Sequence, residues 1–432
     1  TGLSATKIPN SVEDMFKYCE KLVGENGTTF AANKVTDASY AHIDGGTSNP
    51  GYFSKNGDYT ITLNANGGTF GGNQTTKQYT GTNMIEVTFN EIPTYENKYL
   101  AGWAETPNAK KAKYYIGDTH TFLKSVTLYA VWEEATIYIL DEGPNIYSTI
   151  SSCRSEAEHL RFTTTEKVPA NSTLLGNVDK DEGGTIKAYY NESTKTLYFA
   201  TETEKSIIAF HKNSSHMFSN GKTKEDAFYK LQTIDFDSGF DIDTGAVQSF
   251  AEIFKYNEAL TQDSIQAFID KLDTSSVTNM CAMFEYLSVS TIDVSNFDTS
   301  NVTDMSWMFH GGSFTNIIFG DNFDTSNVTD YSGMFQELKQ MEKLDISIFK
   351  AKSGADIKYM FGLCPKLQTI YVSEDNGFDK ARTGIKTFER DTALIGGTGE
   401  NQTVFSTDAD SSKYAIISTK DTPGYFTNIA DK

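Results

Sequence analysis

The chain has 432 residues, of which 38% are hydrophobic and 13% aromatic, a composition that supports a sizeable core and is not that of a disordered chain. Its formal charge of −20 argues against partners such as nucleic acid or an anionic membrane surface, because their phosphates would be repelled rather than neutralised. No apolar run of about 18 residues occurs, so no segment is expected to be membrane-inserted.

Residues 1–55 resemble the end of the chain. LVGENGTTF from Leu22 and LIGGTGENQTVF from Leu394 each precede a Tyr-Ala pair and a Pro-Gly-Tyr-Phe ending. The phrase before the first copy, SVEDMFKYCEKL, contains the Met-Phe pair of the repeats described below. We expect 1–55 to be the last repeat and C-terminal cap of a preceding repeat domain, since stacked repeats need covered ends. A linker docked on its neighbour is the alternative.

Residues 57–134 predict a small β-module. YTITLNANGG, MIEVTFNEIP, YLAGW and VTLYAVW alternate apolar and polar residues and end at Gly, Pro or Trp, as strands do. ITLNANGGTF, YLAGWAETP and VTLYAVWE, in this order, resemble the Listeria–Bacteroides repeat. That resemblance implies a β-grasp-like spacer of surface proteins. We interpret Trp103 and Trp132 as core residues.

Residues 135–230 carry no strong repeat and predict a β-rich N-terminal cap. TIKAYYNESTKTLYFATETEKSIIAF alternates like a hairpin, with its turn between Asn191 and Lys195.

The alternating acids of NVDKDE, from Asn177 to Glu182, begin like a calcium loop. Glu182 replaces the required glycine and Ala188 the required glutamate, so an exposed acidic turn is the favoured interpretation.

Residues 231–373 repeat one phrase about every 25 residues: LDTSSVTNMCAMF, FDTSNVTDMSWMF and FDTSNVTDYSGMF. A period in this range indicates units that stack and share one core, because each is too small to bury its own apolar face. Ile292 and Val294 alternate with polar residues and predict a short strand. Val302, Met305 and Met308 fall at helical spacing and predict a helical segment. Residues 258–271 predict a longer helical insert.

The DTSNVT turn, the Met-Phe pair and the Ile-Asp-Val strand resemble the BspA-type leucine-rich repeat of bacterial surface proteins. The expected fold class is α+β: a leucine-rich-repeat-like right-handed solenoid with β-rich caps, preceded by the small β-grasp-like module. Residues 374–432 would form its C-terminal cap.

Known catalytic and ligand-binding motifs are missing from the sequence. No HExxH, GxSxG or phosphate-loop motif occurs, so we expect no enzyme activity, no cofactor and no metal. The four cysteines lack CxxC spacing, and Cys19 and Cys364 each follow a Met-Phe pair by two residues, as buried core residues would.

The outward strand position of successive repeats is the candidate binding site. It holds acids with interspersed apolar residues that could contact a partner: Asp235, Asp293, Ile318, Asp345 and Tyr371. A solvated face, on which acids keep an exposed sheet from self-pairing, is the alternative.

Together these features predict a monomeric, non-enzymatic surface protein, extracellular or attached to the wall of a bacterium, most simply a Gram-positive one. It would be an adhesin whose partner is a host or neighbouring-cell surface protein or glycan. Two alternatives stay open: a passive cell-wall stalk, and a glycan-active enzyme with its site in 135–230.

Overall fold

The computed structural model describes residues 58–432 apart from 72–73, 83, 96–97, 181–183, 383–385 and 405–411, together with 28, 29 and 48. The chain divides into two compact units, Thr1–Glu134 and Ala135–Lys432. The predictions for 1–55, and for Cys19 within it, lie outside the described residues. The five-part domain division stays a prediction.

The described part of the first unit is built from strands. They are β1 (Asp58–Asn64), β2 (Thr76–Thr82), β3 (Ile85–Thr88), β4 (Lys98–Ala104), β5 (Thr119–Phe122) and β6 (Val126–Glu134). One sheet has the order β2-β1-β6-β4, with β1 and β6 parallel, and β3 pairs with β5. All four predicted strands are present, whereas β2 and β5 were not predicted. Trp103 is fully buried and Trp132 packs against the same core, as predicted.

The second unit contains fifteen described strands and two described α-helices. The strands up to the repeats are β7 (Thr136–Ile139), β8 (His159–Thr164), β9 (Thr173–Asn177), β10 (Lys187–Asn191), β11 (Thr196–Thr201), β12 (Ser206–Ala209), β13 (Thr233–Phe236) and β14 (Phe240–Asp243). The later strands are β15 (Thr291–Val294), β16 (Asn316–Phe319), β17 (Lys343–Asp345), β18 (Thr369–Val372), β19 (Ile395–Gly396), β20 (Thr403–Val404) and β21 (Phe426–Asn428). The helices are α1 (Gly143–Ile150) and α2 (Gln262–Ile269). The predicted hairpin is confirmed as β10–β11, and the predicted helical insert as α2.

The predicted fold class is wrong. The described residues are mostly β-strands in sheets of two to five strands, with only two helices of eight residues each, and none of these sheets closes into a solenoid. The described part of the first unit contains no α-helix, so its β-grasp-like assignment fails as well. The protein has a β-rich fold. The prediction failed because the segments assigned to helices form turns instead.

The hydrogen bonds of the turn segments, the residues around each Met-Phe pair or its equivalent, show why these segments do not form helices. Amides at every second position, in Met280, Ala282, Phe284 and Tyr286, donate to carbonyls one repeat further on, at 2.8–2.9 Å. Between them, the amides of Met283 and Glu285 donate to carbonyls three residues back, and the Cys281 amide donates to the Asn279 side-chain oxygen. A helix would need all of these amides for bonds within its own segment.

Two left-handed residues in each turn segment make this arrangement possible. Such pairs, with φ between 52° and 66°, are Glu252 and Tyr256, Ala282 and Tyr286, Trp307 and Gly311, Gly333 and Glu337, Tyr359 and Leu363, and Lys386 and Arg390. Non-glycine residues pay of order 1 kcal/mol each for this conformation. The hydrogen bonds between repeats offset that cost, because they give partners to amides of the turn segments.

The recurring Asp-Thr-Ser triplet joins each repeat to the next. The Asp298 carboxylate accepts the Ser300 amide two residues on, which forms a tight turn. The buried Thr274 hydroxyl donates to the Asp298 carbonyl and accepts the Asp298 amide, both at 2.9 Å. Buried threonines recur at this position in four repeats: Thr244, Thr274, Thr299 and Thr325. The triplet is therefore a polar connector inside an apolar stack.

Aromatic rings fill the core behind these connectors. One phenylalanine of each turn segment stacks on the next with ring centroids 5.4–6.4 Å apart: Phe254, Phe284, Phe309, Phe335, Phe361 and Phe388. Phe297, Phe323, Met308 and Met334 are buried in the same cluster, so the predicted shared core is confirmed. Its energetic basis is burial of large apolar surface together with offset ring stacking.

Helix α2 takes the place of a strand between β13 and β15. The Gln266 side-chain amide donates to the Asp293 carbonyl at 2.9 Å and accepts the Asp293 amide at 3.1 Å. Gln262 does the same at Thr291. These two carboxamides imitate the backbone of a neighbouring strand, and they satisfy the edge of β15.

We expect Thr274→Val to lower the free energy of unfolding by about 1–3 kcal/mol, because an isosteric methyl leaves a buried amide and carbonyl of Asp298 unpaired. Thr303→Val is the matched control, since the exposed Thr303 hydroxyl makes a single bond of 3.2 Å to Thr278 and its loss should cost under about 0.5 kcal/mol. Denaturant unfolding of both variants measures the difference. Equal costs would contradict the connector role.

Candidate interaction surfaces

The predicted strand-face residues do not share one sheet. Asp235 is exposed on β13, which pairs with β8 so that Asp235 lies opposite Arg161. Helix α2 contacts both β13 and β15 and separates Asp235 from the other four residues. The expected ladder is therefore broken at its start.

The remaining four residues form two pairs. Asp293 lies opposite Ile318 in the β15–β16 sheet, and Asp345 lies opposite Tyr371 in the β17–β18–β21 sheet. β16 and β17 belong to different sheets, so the pairs are not continuous. Ile318 is 38% exposed, whereas Asp293, Asp345 and Tyr371 are half-buried.

Lys432 covers the second pair. Its ammonium lies 2.7 Å from an Asp345 carboxylate oxygen and 5.3 Å from the centre of the Tyr371 ring. Burial alone would raise the pKa of Asp345, but hydrogen bonds from Lys432 and Ser347 outweigh it and hold the pKa below its ordinary value. Asp345 thus already has an internal ionic partner, which weakens the case for the strand face.

A second surface was not predicted. We call it the turn ridge, and it consists of residues 252–256, 282–286, 307–311, 333–337, 359–363 and 386–390. Single parallel bridges place these segments in one register through Ser249, Asn279, Asp304, Asp330, Asp356 and Arg382. Its left-handed residues point half-buried aromatic rings outward from the Met-Phe core: Tyr256, Tyr286, Trp307 and Tyr359. The sequence signal is an aromatic residue one or two places from a Met-Phe pair. The helical spacing of the neighbouring apolar residues predicts a helix there, which hides this signal.

Glycines seat two of these rings. A Cβ added at Gly311 would lie 2.3 Å from the Tyr286 ring, and one at Gly333 would lie 2.7 Å from the Trp307 ring. Tyr256 stacks on Tyr286 with centroids 4.9 Å apart. Each ring therefore leans against the following repeat and is held in place by packing.

A chain of alternating charges runs along the turn ridge. The Lys255 ammonium lies 3.3 Å from Glu252 and 3.1 Å from Glu285. A Glu285 oxygen lies 2.9 Å from Nδ1 of His310, whose Nε2 is 3.9 Å from Glu337. Glu285 and His310 are more than nine-tenths buried. Four successive repeats are linked by this chain.

The charges shift one another's ionisation. Burial would lower the pKa of Lys255, but the Glu285 and Glu252 carboxylates outweigh it and raise the pKa. Burial would raise the pKa of Glu252, but His216 and Lys255 hold it below its ordinary value. Burial, with Glu337 nearby, raises the pKa of Tyr286 to about 12. At neutral pH Glu252 and Lys255 therefore keep their ordinary charges and pair with each other.

The described cysteines are unsuited to nucleophilic chemistry. Burial raises the pKa of Cys153 to about 12, that of Cys281 to about 11, and that of Cys364 well above its ordinary range. All three are free thiols, and they stay protonated at neutral pH. Cys364 is fully buried, which confirms its predicted place in the core.

No group of three or more metal-binding side chains is assembled among the described residues. In the candidate calcium turn, one Asp179 oxygen accepts both the amide and the hydroxyl of Thr185 at 2.8 Å. Asp181 and Glu182 lie outside the described residues. Asp179 thus stabilises its own turn.

Two of the open pockets lie outside 135–230. One of about 420 Å³ lies beside β2, and one of about 380 Å³ lies at the end of the turn ridge beside Glu337, Leu363 and Arg390. No helix in the described ranges is long and apolar enough to cross a membrane.

The comparisons with known proteins concern the repeats. Residues 212–319 and 289–377 match the family described as Mycoplasma protein of unknown function, DUF285. The match spans less than half of the chain and indicates no activity or ligand. No curated protein and no solved structure matches the chain. The BspA-type and Listeria–Bacteroides resemblances stay predictions.

Glu252→Gln should make stability less sensitive to acid. Since the folded pKa of Glu252 lies below its unfolded value of 4.5, its ionised form stabilises the fold above that value, and the contribution is lost as pH falls through the folded pKa. The stability difference between wild type and variant should shrink from about pH 6 to about pH 3. Denaturation at each pH measures it, with exposed Glu342→Gln as control. A constant difference would refute the prediction.

Proposed function

We propose that this chain is a non-enzymatic recognition protein of a bacterial cell surface, and that it binds its partner through the turn ridge. The observation that carries the proposal is the set of half-buried aromatic side chains on the turn ridge. Each of these residues is itself left-handed, and this conformation directs its ring outward. Partly exposed aromatic residues on a rigid framework are typical of binding surfaces, because they offer contact area at a small entropic cost.

The conformation of these residues supports a selected role for the surface. Trp307, Tyr286 and Tyr359 adopt φ values near 60°, which are unfavourable for such bulky residues. Strained residues persist where the surrounding structure holds them, and they concentrate at functional sites. The strand face offers less, because the Lys432 ammonium already pairs with the Asp345 carboxylate.

The surface location rests on the resemblance of DTSNVT and Met-Phe to BspA-type repeats and of ITLNANGGTF to the Listeria–Bacteroides repeat. Those resemblances imply an extracellular, adhesive protein, with the first unit as a spacer. The charge of −20 keeps copies of the chain apart and agrees with a monomer.

Two other functions are separated from this proposal by experiment. A passive stalk would bind nothing, and an enzyme would release product from a glycan. The enzyme alternative places its site in residues 135–230, outside the turn ridge.

We expect the purified chain to bind at least one member of a panel of immobilised matrix proteins and glycans, measured by biolayer interferometry. Trp307→Ala together with Tyr286→Ala should weaken that binding by about tenfold or more, whereas Asp345→Ala together with Tyr371→Ala should not. Unfolding midpoints of both double variants verify that each is folded. A complete lack of binding would favour the stalk, and loss only in the second double variant would return the site to the strand face.

A further inference from the structure

Two rings of the turn ridge have a spacing that suits a particular class of ligand. Trp307 and Tyr359 occupy the same position of repeats that are two steps apart, with Gly333 at that position between them. Two steps of the parallel ladder measure roughly 10 Å. That is on the order of the length of one disaccharide. The two rings can therefore lie under alternate sugars of one extended chain.

Both rings are held before any ligand arrives. The Trp307 ring lies against the backbone at Gly333 and meets the His310 ring edge-on, with centroids 4.7 Å apart. Lys358 and Lys386 lie 4.9 and 5.8 Å from the centre of the Tyr359 ring. A ligand that lies across fixed rings loses little of its binding energy to ordering of the protein.

Unused hydrogen-bonding groups lie in the same repeats. The indole N–H of Trp307 and the hydroxyls of Tyr286 and Tyr359 bond to no described residue. These groups can bond to a hydroxyl-rich ligand without breaking a bond within the protein.

The charges favour an uncharged ligand. Glu252, Lys255, Glu285 and His310 pair with one another, so this end of the turn ridge has little free charge to offer an ionic partner. The charge of −20 also repels a polyanion. A protein partner would need a continuous apolar centre, whereas these rings alternate with glycines and polar groups.

Resting on the proposed recognition function, we infer that the turn ridge binds a linear, neutral glycan of hexopyranose units. The sugar faces stack on Trp307 and on Tyr359, where the sugar displaces the Lys358 and Lys386 ammoniums that lie over the ring. The indole N–H of Trp307 donates to a sugar hydroxyl. Lys358 and Lys386 donate to hydroxyls at the Tyr359 end.

The test is calorimetric titration of the full chain with neutral hexasaccharides of β-1,4- and β-1,3-linked glucose, mannose and N-acetylglucosamine. A polyuronate and a set of matrix proteins are parallel arms. We expect one neutral hexasaccharide to bind, and Trp307→Ala and Tyr359→Ala each to weaken it about tenfold. Tyr371→Ala, a half-buried tyrosine on the strand face, is the matched control and should leave affinity unchanged.

Gly333→Ala tests the position of the ring without removing it. A Cβ there displaces Trp307, while Ala282 shows that alanine is accommodated at the same left-handed position of another repeat. The variant should remain folded, with an unfolding midpoint close to that of wild type, and bind the hexasaccharide several-fold more weakly. An unchanged affinity would overturn the assignment of Trp307 as a platform.

The remaining outcomes separate the two proposals. Binding of the polyuronate alone, or of a matrix protein alone, would overturn the neutral-glycan inference and leave the recognition function standing. Hexasaccharide binding that is insensitive to Trp307 and Tyr359 would do the same. No binding in any arm would overturn both.

Discussion

The repeats depend on an exchange of hydrogen bonds between one buried threonine and the backbone of the next repeat. The hydroxyls of Thr244, Thr274 and Thr299 each donate to a carbonyl in the following repeat, at 2.7–2.9 Å. These bonds set the axial position of each unit. The phenylalanine rings then stack face to face, because stacking requires the same spacing that the threonines impose. The polar and the apolar columns therefore enforce one register, and neither would do so alone.

Part of this fold could be predicted because residues adjacent in the sequence determine it. Alternation at Ile292 and Val294 reports a buried strand face whatever the neighbouring repeat does, and the hairpin turn after Asn191 is set by adjacent residues. The turn segments could not be predicted in this way. Val302, Met305 and Met308 bury equally well in a helix or in successive tight turns, and nothing in the residue type of Trp307 or Tyr286 signals a left-handed backbone. Tertiary hydrogen bonds decided the outcome.

The candidate binding surface could not be predicted correctly for the same reason: it depends on contacts between repeats. The strand-face prediction assumed a continuous sheet, and the sequence period contains no sign that Gln266 would replace a strand or that Lys432 would reach Asp345. The turn ridge was missed for the opposite reason. Its aromatic residues were visible, but a helical interpretation placed them around a cylinder, whereas they occupy the first and the second left-handed position of successive turn segments. Only Gly311 and Gly333, each seating a ring from the preceding repeat, hinted at the true geometry.

Helix α2 has an evolutionary consequence. Its carboxamides occupy the edge of β15, so an extra unit inserted directly before Thr291 would have to expel a helix. Downstream, LDTSSVTNM, FDTSNVTDM and FDTSNVTDY follow one another with nearly interchangeable contacts. Unequal recombination can therefore lengthen or shorten the array on that side at little structural cost. The position of α2 stays fixed while the number of repeats after it changes, and the length of the turn ridge changes with that number.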